Sequence, residues 1–298
     1  MVIKRLLLVG AVVASLFATT AAHAEESKNK GLLVSPVREY VTAAPGASQQ
    51  KTIALANNTE VPITVTLSVG QFTVANYNYD VTFQDLKEDW VKLSKDRVEL
   101  EPGKSVSINY VVAPPQDATP GGHYFTIFAS ATVQTGRVAS KVRAAATVYV
   151  AVQGDLMLSS TVQKIELPWV VFGGDIGFSM DVKDTGNTHF FVYVAGSLQG
   201  PEANGKGPEA THLLMPGKVR TVGSTIPAPP VPGMYTAHVG YTTDGGETVE
   251  RSQKILYIPP WSLFLLGGIV WIAIAGAQRH KRRLRCLRIP RDDRVGHS

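Results

Sequence analysis

The chain has 298 residues and a formal net charge of +5, but its positive charge is concentrated at the two ends. Two basic residues precede residue 25, and eight basic against two acidic residues follow residue 277, which leaves 19 basic and 22 acidic residues between them. A nucleic-acid-binding role argued from the basic isoelectric point is therefore not indicated, because the central region is slightly acidic.

The amino terminus predicts a secretory signal peptide over residues 1–24. Lys4 and Arg5 precede an apolar stretch from 6 to about 17, and the Ala-His-Ala sequence at 22–24 is a small-x-small cleavage site. A retained N-terminal anchor is the alternative interpretation. With cleavage, the mature chain starts near residue 25.

Residues 25–153 predict a first β-sandwich. Short β-rich runs alternate with Pro-Gly and Asn-rich turns, and seven or eight of them in about 120 residues is the spacing of an immunoglobulin-like sandwich. The first run, 32–41, contains Pro36, which indicates an edge strand. Residues 71–89 are polar and aromatic, and we expect them to form an inserted hairpin or loop.

Residues 154–257 predict a second sandwich of the same class, so the fold class is all-β with two tandem Ig-like sandwiches. The two halves share an ordered set of signals: Asn57-Asn58-Thr59 and Pro102-Gly103-Lys104 in the first half correspond to Gly186-Asn187-Thr188 and Pro216-Gly217-Lys218 in the second. An internal repeat of domain length indicates tandem modules.

Residues 258–277 predict one transmembrane helix, because this run has no ionisable side chain and is long enough to cross a bilayer. A buried core helix is the alternative. The basic tail 278–298 places the carboxyl end in the cytoplasm, since cytoplasmic flanks carry the positive excess. We therefore expect a single-pass type I protein of the plasma (inner) membrane. The single cysteine, Cys286, lies in this tail, as a free thiol or an acylation site.

No catalytic constellation stands out in the exported region. It has no cysteine, no Gly-x-Ser-x-Gly sequence, no phosphate-binding loop and no closely spaced pair of histidines. Asp184 with Asn187 could bind calcium, but an Asx turn explains both residues more simply. We therefore predict a non-enzymatic protein without a cofactor or a metal, and an enzyme with a site on its loops is the weaker hypothesis.

Two stretches are candidates for binding a partner. The segment from Phe72 to Trp90 contains Tyr77, Tyr79 and Phe83, and exposed aromatic side chains make good protein contacts. The alternative is that Phe83 and Trp90 cover the end of the first core. The polar loop 199–208 is better explained as a hairpin tip.

The ordered motifs of the first half resemble a known family. Val34-Ser35-Pro36, the Pro45-Gly46 turn, Trp90-Val91-Lys92, Leu100-Glu101-Pro102-Gly103 and Gly121-Gly122-His123-Tyr124-Phe125 are similar to the first Ig-like domain of bacterial WxL-interacting surface proteins. That resemblance implies tandem Ig-like domains, a C-terminal anchor, and binding of a cell-surface protein and of peptidoglycan. The segments 71–89 and 170–178 match nothing in that pattern.

A second resemblance is to the first domain of periplasmic pilus chaperones, which also have a proline near the first strand, an Asn-rich turn and a Leu-x-Pro-Gly turn. It implies a basic pair that holds the terminal carboxylate of a client subunit. Arg38 with Lys141 or Arg143 could form that pair, because the first and last strands of the sandwich can be adjacent. Surface charges on strands are the alternative.

The sequence therefore predicts a membrane-anchored envelope protein that binds and tethers a surface protein or a cell-wall polymer. The alternative function is a chaperone-like factor for the assembly of pilus or surface subunits. In either case, we expect an exposed edge strand to receive the partner by strand addition.

Overall fold

The computed structural model of this protein describes residues 31–135, 138–200 and 203–286. Over these residues the chain forms two tandem Ig-like β-sandwiches followed by one helix. The predicted signal peptide lies outside the described residues, as do the tip at 136–137, the loop residues 201–202 and the tail beyond 286.

In the described residues up to 152, the first sandwich has ten strands in two sheets. One sheet has the order β1-β3-β8-β6, and the other has the order β2-β10-β9-β4-β5 with β7 also paired to β4. The strands are β1 (Leu32–Ser35), β2 (Arg38–Ala43), β3 (Gln49–Asn57), β4 (Ile63–Ala75), β5 (Asp80–Gln84), β6 (Val91–Leu93), β7 (Arg97–Leu100), β8 (Ser105–Val112), β9 (Gly121–Thr135) and β10 (Val138–Val152).

The core of the first sandwich follows from the alternation of side chains along each strand, since successive residues point to opposite faces of a sheet. In β4, the buried residues Ile63, Val65 and Leu67 alternate with Thr64 and Thr66. The inward rows of the two sheets meet in one cluster that includes Leu55, Val65, Phe125, Ile127, Val148 and Val150.

The predicted first strand is in fact two strands. β1 pairs with β3, and β2 pairs in parallel with β10, so the chain changes sheets at Pro36. Proline has no N–H to contribute to a sheet ladder, so a ladder is readily interrupted there. Both pieces are edge strands, as the proline indicates, but the continuous apolar pattern of 32–41 did not reveal the change of sheet.

The segment 71–89 contains a hairpin, as expected. β4 extends to Ala75, further than the sequence indicated, and β5 returns beside it with Phe72 opposite Phe83. Asn76 and Tyr79 have positive φ angles of 51° and 64°, which a tight turn requires.

The second sandwich has nine strands in the part that the structure describes. Its sheets have the orders β11-β13-β17 and β12-β19-β18-β14-β15, and β16 also pairs with β14. The strands are β11 (Ser160–Glu166), β12 (Val170–Val171), β13 (Ile176–Asp184), β14 (Phe190–Gly200), β15 (Ala203–Lys206), β16 (Ala210–Leu214), β17 (Val219–Ile226), β18 (Gly233–Thr243) and β19 (Thr248–Tyr257). The buried residues of β13 alternate regularly and form a core with Val192, Leu214, Val222, Tyr235 and Ile255.

The helix α1 spans Pro260–Cys286 and includes a stretch of 20 residues, Pro260–Arg279, that is apolar and long enough to cross a membrane. The helix is longer than the predicted 258–277 span. Pro260 is its first residue, where the missing N–H costs no hydrogen bond, and the basic residues after 277 are good helix formers that continue it.

Candidate partner-binding surface

The strand β10 has an open edge. It pairs with β9 along its whole length, 138–152, but with β2 only over 147–152. Within the described part of the chain, residues 138–146 therefore have no strand on their second side. Such an edge presents a row of backbone N–H and C=O groups that another strand can pair with.

Side chains along the open edge alternate in character. Val142 and Ala144 lie partly buried against the first core, and Val138, on the same face, is 65% exposed. Lys141 and Arg143 point to the opposite, outer face and are exposed. The edge therefore offers an incompletely covered apolar row on one face and positive charge on the other.

Arg143 is part of an aromatic and cationic cluster on the outer face. Its guanidinium carbon lies 3.5 Å from the ring centroid of Phe128, and the ring of Phe83 packs edge-on against Phe128 at 4.8 Å. Phe83 is 47% exposed, so it does not close the core of the first sandwich. A Cβ atom at Gly70 would come within 3.0 Å of the Phe128 ring, so glycine leaves room for this stacking.

A shallow groove continues from this cluster along β9 and β10. Arg97, Lys141 and Arg143 line it together with threonine and serine side chains, and no carboxylate lines it. Arg97 and Phe128 were not predicted from the sequence. Phe128 could have been recognised, because it is a large apolar residue on the face of β9 opposite to that of the core residues Ile127 and Ala129.

Arg38 lies apart from the other two predicted cations. As expected, the first and last strands are adjacent, but Arg38 pairs with Thr147. Arg143 is four residues away along β10 and Lys141 is six, which correspond to about 13 and 20 Å at about 3.3 Å per residue. The three cations share one face of the sheet but do not surround a single point.

Tyr79 and Tyr77 lie at the junction of the two sandwiches. The Tyr79 hydroxyl accepts a hydrogen bond from the amide of Met215 at 2.9 Å, and its ring lies 4.7 Å from the Arg220 guanidinium carbon. The carbonyl of Tyr77 accepts from the amide of Thr221 at 2.9 Å. Burial raises the pKa of Tyr79 to about 12. The hairpin between β4 and β5 therefore joins the second sandwich, and the Tyr77 side chain is half exposed.

An apolar and aromatic cluster fills the rest of the junction. Phe72 and Tyr149 of the first sandwich pack with Leu213 and Met215 of the second. His189 lies among tyrosine rings, 5.4 Å from that of Tyr149, and burial lowers its pKa to about 4. The imidazole is therefore neutral at physiological pH.

Asp184 is a fully buried carboxyl group beside this junction. Its Oδ1 accepts a hydrogen bond from the Gly186 amide at 2.8 Å, which is the Asx turn considered above, and its Oδ2 has no partner. Asn187 is occupied with the backbone of Asp155 and Met157. Burial raises the pKa of Asp184 to about 7. No three His, Cys, Asp or Glu residues in the described ranges gather as metal ligands.

Comparisons with known proteins bear on the fold. No protein-family description matches the chain, and no curated protein does. Among solved structures, the class 5 fimbriae chaperone CfaA is 12% identical with a TM-score of 0.42, covering 77% of this chain and 100% of its own.

Two further similar structures come from named bacteria. The CsuC–CsuE chaperone–tip adhesion subunit complex from the Csu pili of Acinetobacter baumannii is 9% identical with a TM-score of 0.38, covering 76% of this chain and 98% of its own. The CupB2 chaperone of Pseudomonas aeruginosa is 9% identical with a TM-score of 0.36, covering 74% and 99%. These structures match the second of the two resemblances drawn from the sequence, and nothing supports the WxL-interacting one. At such identities and TM-scores, function has to be argued from the geometry of this chain.

Proposed function

We propose that this chain is a non-enzymatic assembly factor of the bacterial envelope. It binds an extended segment of a client surface protein by strand addition along residues 138–146 of β10. The single observation that carries the proposal is the open edge of β10, which is paired over only six of its fifteen residues on the β2 side.

Strand addition suits this edge because its backbone groups are already held in an extended conformation by β9. Main-chain hydrogen bonds then give affinity, and alternate side chains give specificity. Nine residues of open edge are enough for a strand of ordinary length. The edge is not blunted by proline, and Lys141 and Arg143 are its only charges.

The side chains around the edge define the client chemistry. Val138 and Val142 leave apolar surface for alternate apolar residues of the client strand. Arg143, Lys141 and Arg97 provide positive charge with no lining carboxylate, so the other face of the client strand carries acidic side chains or a terminal carboxylate. The cations thus act along a groove, in a different geometry from the pair of Arg38 with Lys141 or Arg143.

The helix α1 provides the membrane part of the proposal. It spans the bilayer with its basic end in the cytoplasm, so that both sandwiches lie outside. Linkage to the membrane then raises the effective concentration of the edge for clients that emerge nearby. Binding of a cell-wall polymer stays a prediction.

Site-specific photo-crosslinking in cells tests the proposal. We would place a photoreactive amino acid at Val138, which is 65% exposed on the open edge, and in a matched control at Met157, which is 55% exposed and follows the far end of β10. We expect an envelope protein to be crosslinked from position 138 and not from position 157. Hydrogen exchange of the purified complex should then show the amides of residues 139, 141, 143 and 145 protected relative to the free chain, because they are in phase with the Thr147 amide, which points to the β2 side.

Two results would contradict strand addition. One is equal crosslinking from positions 157 and 138. The other is a stable complex in which the amides of residues 139, 141, 143 and 145 exchange as fast as in the free chain, because backbone pairing with a client strand necessarily slows their exchange.

A further inference from the structure

The end of the second sandwich that faces α1 differs from the rest of its surface. Three segments meet there: 167–174, which connects β11 to β13; 227–234, which leads from β17 into β18; and 256–261, where β19 passes into the helix. Their proximity follows from the sheet register, since Ile176 pairs with Ile226 and Gly233 pairs with Tyr257.

The segments 167–174, 227–234 and 256–261 contain no Asp, Glu, Lys, Arg or His. One exposed carboxylate, Asp175, follows the first of them, and its Oδ1 accepts a hydrogen bond from the Ala228 amide at 3.1 Å. This end of the sandwich, called the apolar end below, is therefore mainly apolar and carries a single charge in these connections.

Large apolar side chains project from the apolar end. Trp169 is 75% exposed, Phe172 66%, Met234 57% and Trp261 47%. Exposed apolar side chains grouped in this way mark an interaction surface. Trp and Phe also have a low entropy cost of ordering for the contact area they provide.

The loop that carries Trp169 and Phe172 is fixed against the start of the helix. The carbonyl of Trp169 accepts a hydrogen bond from the Leu256 amide at 2.8 Å, and the carbonyl of Val171 accepts from the Ile258 amide at 2.9 Å. A Cβ atom at Gly173 would approach the Pro260 ring to 2.7 Å, so the loop lies directly on the first residue of the helix.

This packing sets the height of Phe172 above the helix. Phe172 lies level with Ile258, two residues before the helix begins, and thus within about 7 Å of it along the chain. The headgroup layer on each side of the hydrocarbon core is itself about 5–7 Å thick. Trp169 lies about 10 Å higher, above that layer, so Phe172 is the exposed side chain of this loop that reaches the headgroups.

We propose that the apolar end of the second sandwich rests on the bilayer that α1 crosses, with Phe172 inserted among the lipid headgroups. This inference rests on the membrane-spanning part of the proposed function. Lipid is the occupant because the helix leaves from this same surface, so the bilayer faces it whenever the helix is inserted. The contact fixes the orientation of the second sandwich relative to the membrane.

Fluorescence quenching in lipid nanodiscs tests the proposal on the full chain. The Cys286→Ser variant serves as the background for three single-cysteine variants, Phe172→Cys, Val138→Cys and Ile269→Cys, each labelled with an environment-sensitive fluorophore. Discs holding one chain each contain phosphatidylcholine with a nitroxide either on the headgroup or in the acyl chain. Position 138 is the exposed control in the first sandwich, and position 269 reports on insertion of the helix.

We expect headgroup nitroxides to quench the label at 172 at least several-fold more than the label at 138, and acyl-chain nitroxides to quench the label at 269.

Three outcomes would overturn the inference. Quenching at position 269 without quenching at position 172 shows that the helix crosses the bilayer, and it refutes the contact between the second sandwich and the lipid. An absence of quenching at both positions refutes the span as well. Blue-shifted emission at 172 without lipid quenching, seen only in discs that hold two chains, assigns this surface to a second copy of the protein.

Discussion

Asn57 and Asp184 occupy equivalent positions in the two sandwiches. The backbone amide of each donates to the lysine carbonyl of a Pro-Gly-Lys turn, at 2.9 Å to Lys104 and 3.0 Å to Lys218, and the backbone carbonyl of each accepts from the glycine of that turn. Both side chains are fully buried. The same structural position therefore holds an amide in one sandwich and a carboxyl group in the other.

The difference matters because the amide is a hydrogen-bond donor. The Nδ2 atom of Asn57 donates to the carbonyls of Val61 and Leu100, each at 2.9 Å. Asp184 presents Oδ2 instead, and this atom has no partner. Burial removes the carboxylate from water and leaves Oδ2 without a hydrogen-bond donor, so it favours the neutral, protonated form of Asp184.

Asp184→Asn is expected to stabilise the protein in a pH-dependent way. Because burial raises the pKa of Asp184 from 3.8 to about 7, the parent loses stability as pH rises from about 4 to 7. The gain from the variant should be small at pH 4, grow to as much as about 4 kcal/mol near pH 7, and stay constant above. Denaturant unfolding of the detergent-solubilised chain, measured as the difference between variant and parent, checks this. A difference independent of pH would show that folding does not raise the pKa of Asp184.

For His189→Gln, the gain in stability over the parent should grow as pH falls, which is the opposite pH dependence to that of Asp184→Asn. Burial lowers the pKa of His189 to about 4, so the folded protein excludes a proton that the unfolded chain binds below about 6.5. The parent therefore loses stability as pH falls from about 6.5 to 4. Relative to the parent, the variant should recover about 3 kcal/mol over that interval. The same unfolding series measures it, and a flat difference would contradict the buried neutral imidazole.

Tyr79→Phe should loosen the junction between the sandwiches. It removes the acceptor of the Met215 amide, and Met215 is 2% exposed, so a buried N–H loses its partner at a cost of about 1–3 kcal/mol. Hydrogen exchange at Met215 and in the hairpin between β4 and β5 should accelerate. Tyr77→Phe is the matched control, because Tyr77 bonds to the second sandwich through its backbone carbonyl. Equal acceleration in both variants would indicate a general loss of stability.

Client binding should depend on Arg143 and Lys141 independently of Arg38. The separation of about 13–20 Å along the strands predicts additive effects, with a coupling below about 0.5 kcal/mol between Arg38→Ala and Lys141→Ala. Recovery of the crosslinked client from each single variant and from the double variant measures the coupling. A strong coupling would instead favour one carboxylate held between the two cations.

The sequence revealed the architecture because its signals are local. Alternation such as that of Ile63, Val65 and Leu67 records which face of a strand is buried, and the Pro-Gly turns mark the ends of strands. The repeat was recognised, but its alignment was wrong by two residues. Asn57 corresponds to Asp184. Asn58-Thr59 and Asn187-Thr188 have the same residue types but do not occupy equivalent positions in the two sandwiches.

The site was less predictable because it depends on contacts between distant segments. From the sequence alone, Tyr79 is interpreted as an exposed aromatic residue, because its partner Met215 is 136 residues away in the second sandwich. Arg38 was correctly assigned to a strand beside the last one, but register decides which residue it faces, and register depends on the whole sheet. The open edge of β10 follows from the shortness of β2, which the change of sheet at Pro36 determines.

That change of sheet also constrains the order in which the chain acquires its structure. Arg38 and Thr147 are neighbours in the finished sheet but are separated by 109 positions of sequence. A chain synthesised from its amino end thus delivers β2 long before the strand that receives it. During this interval the sheet of the first sandwich lacks this pairing, and its assembly is completed only once β10 has been synthesised.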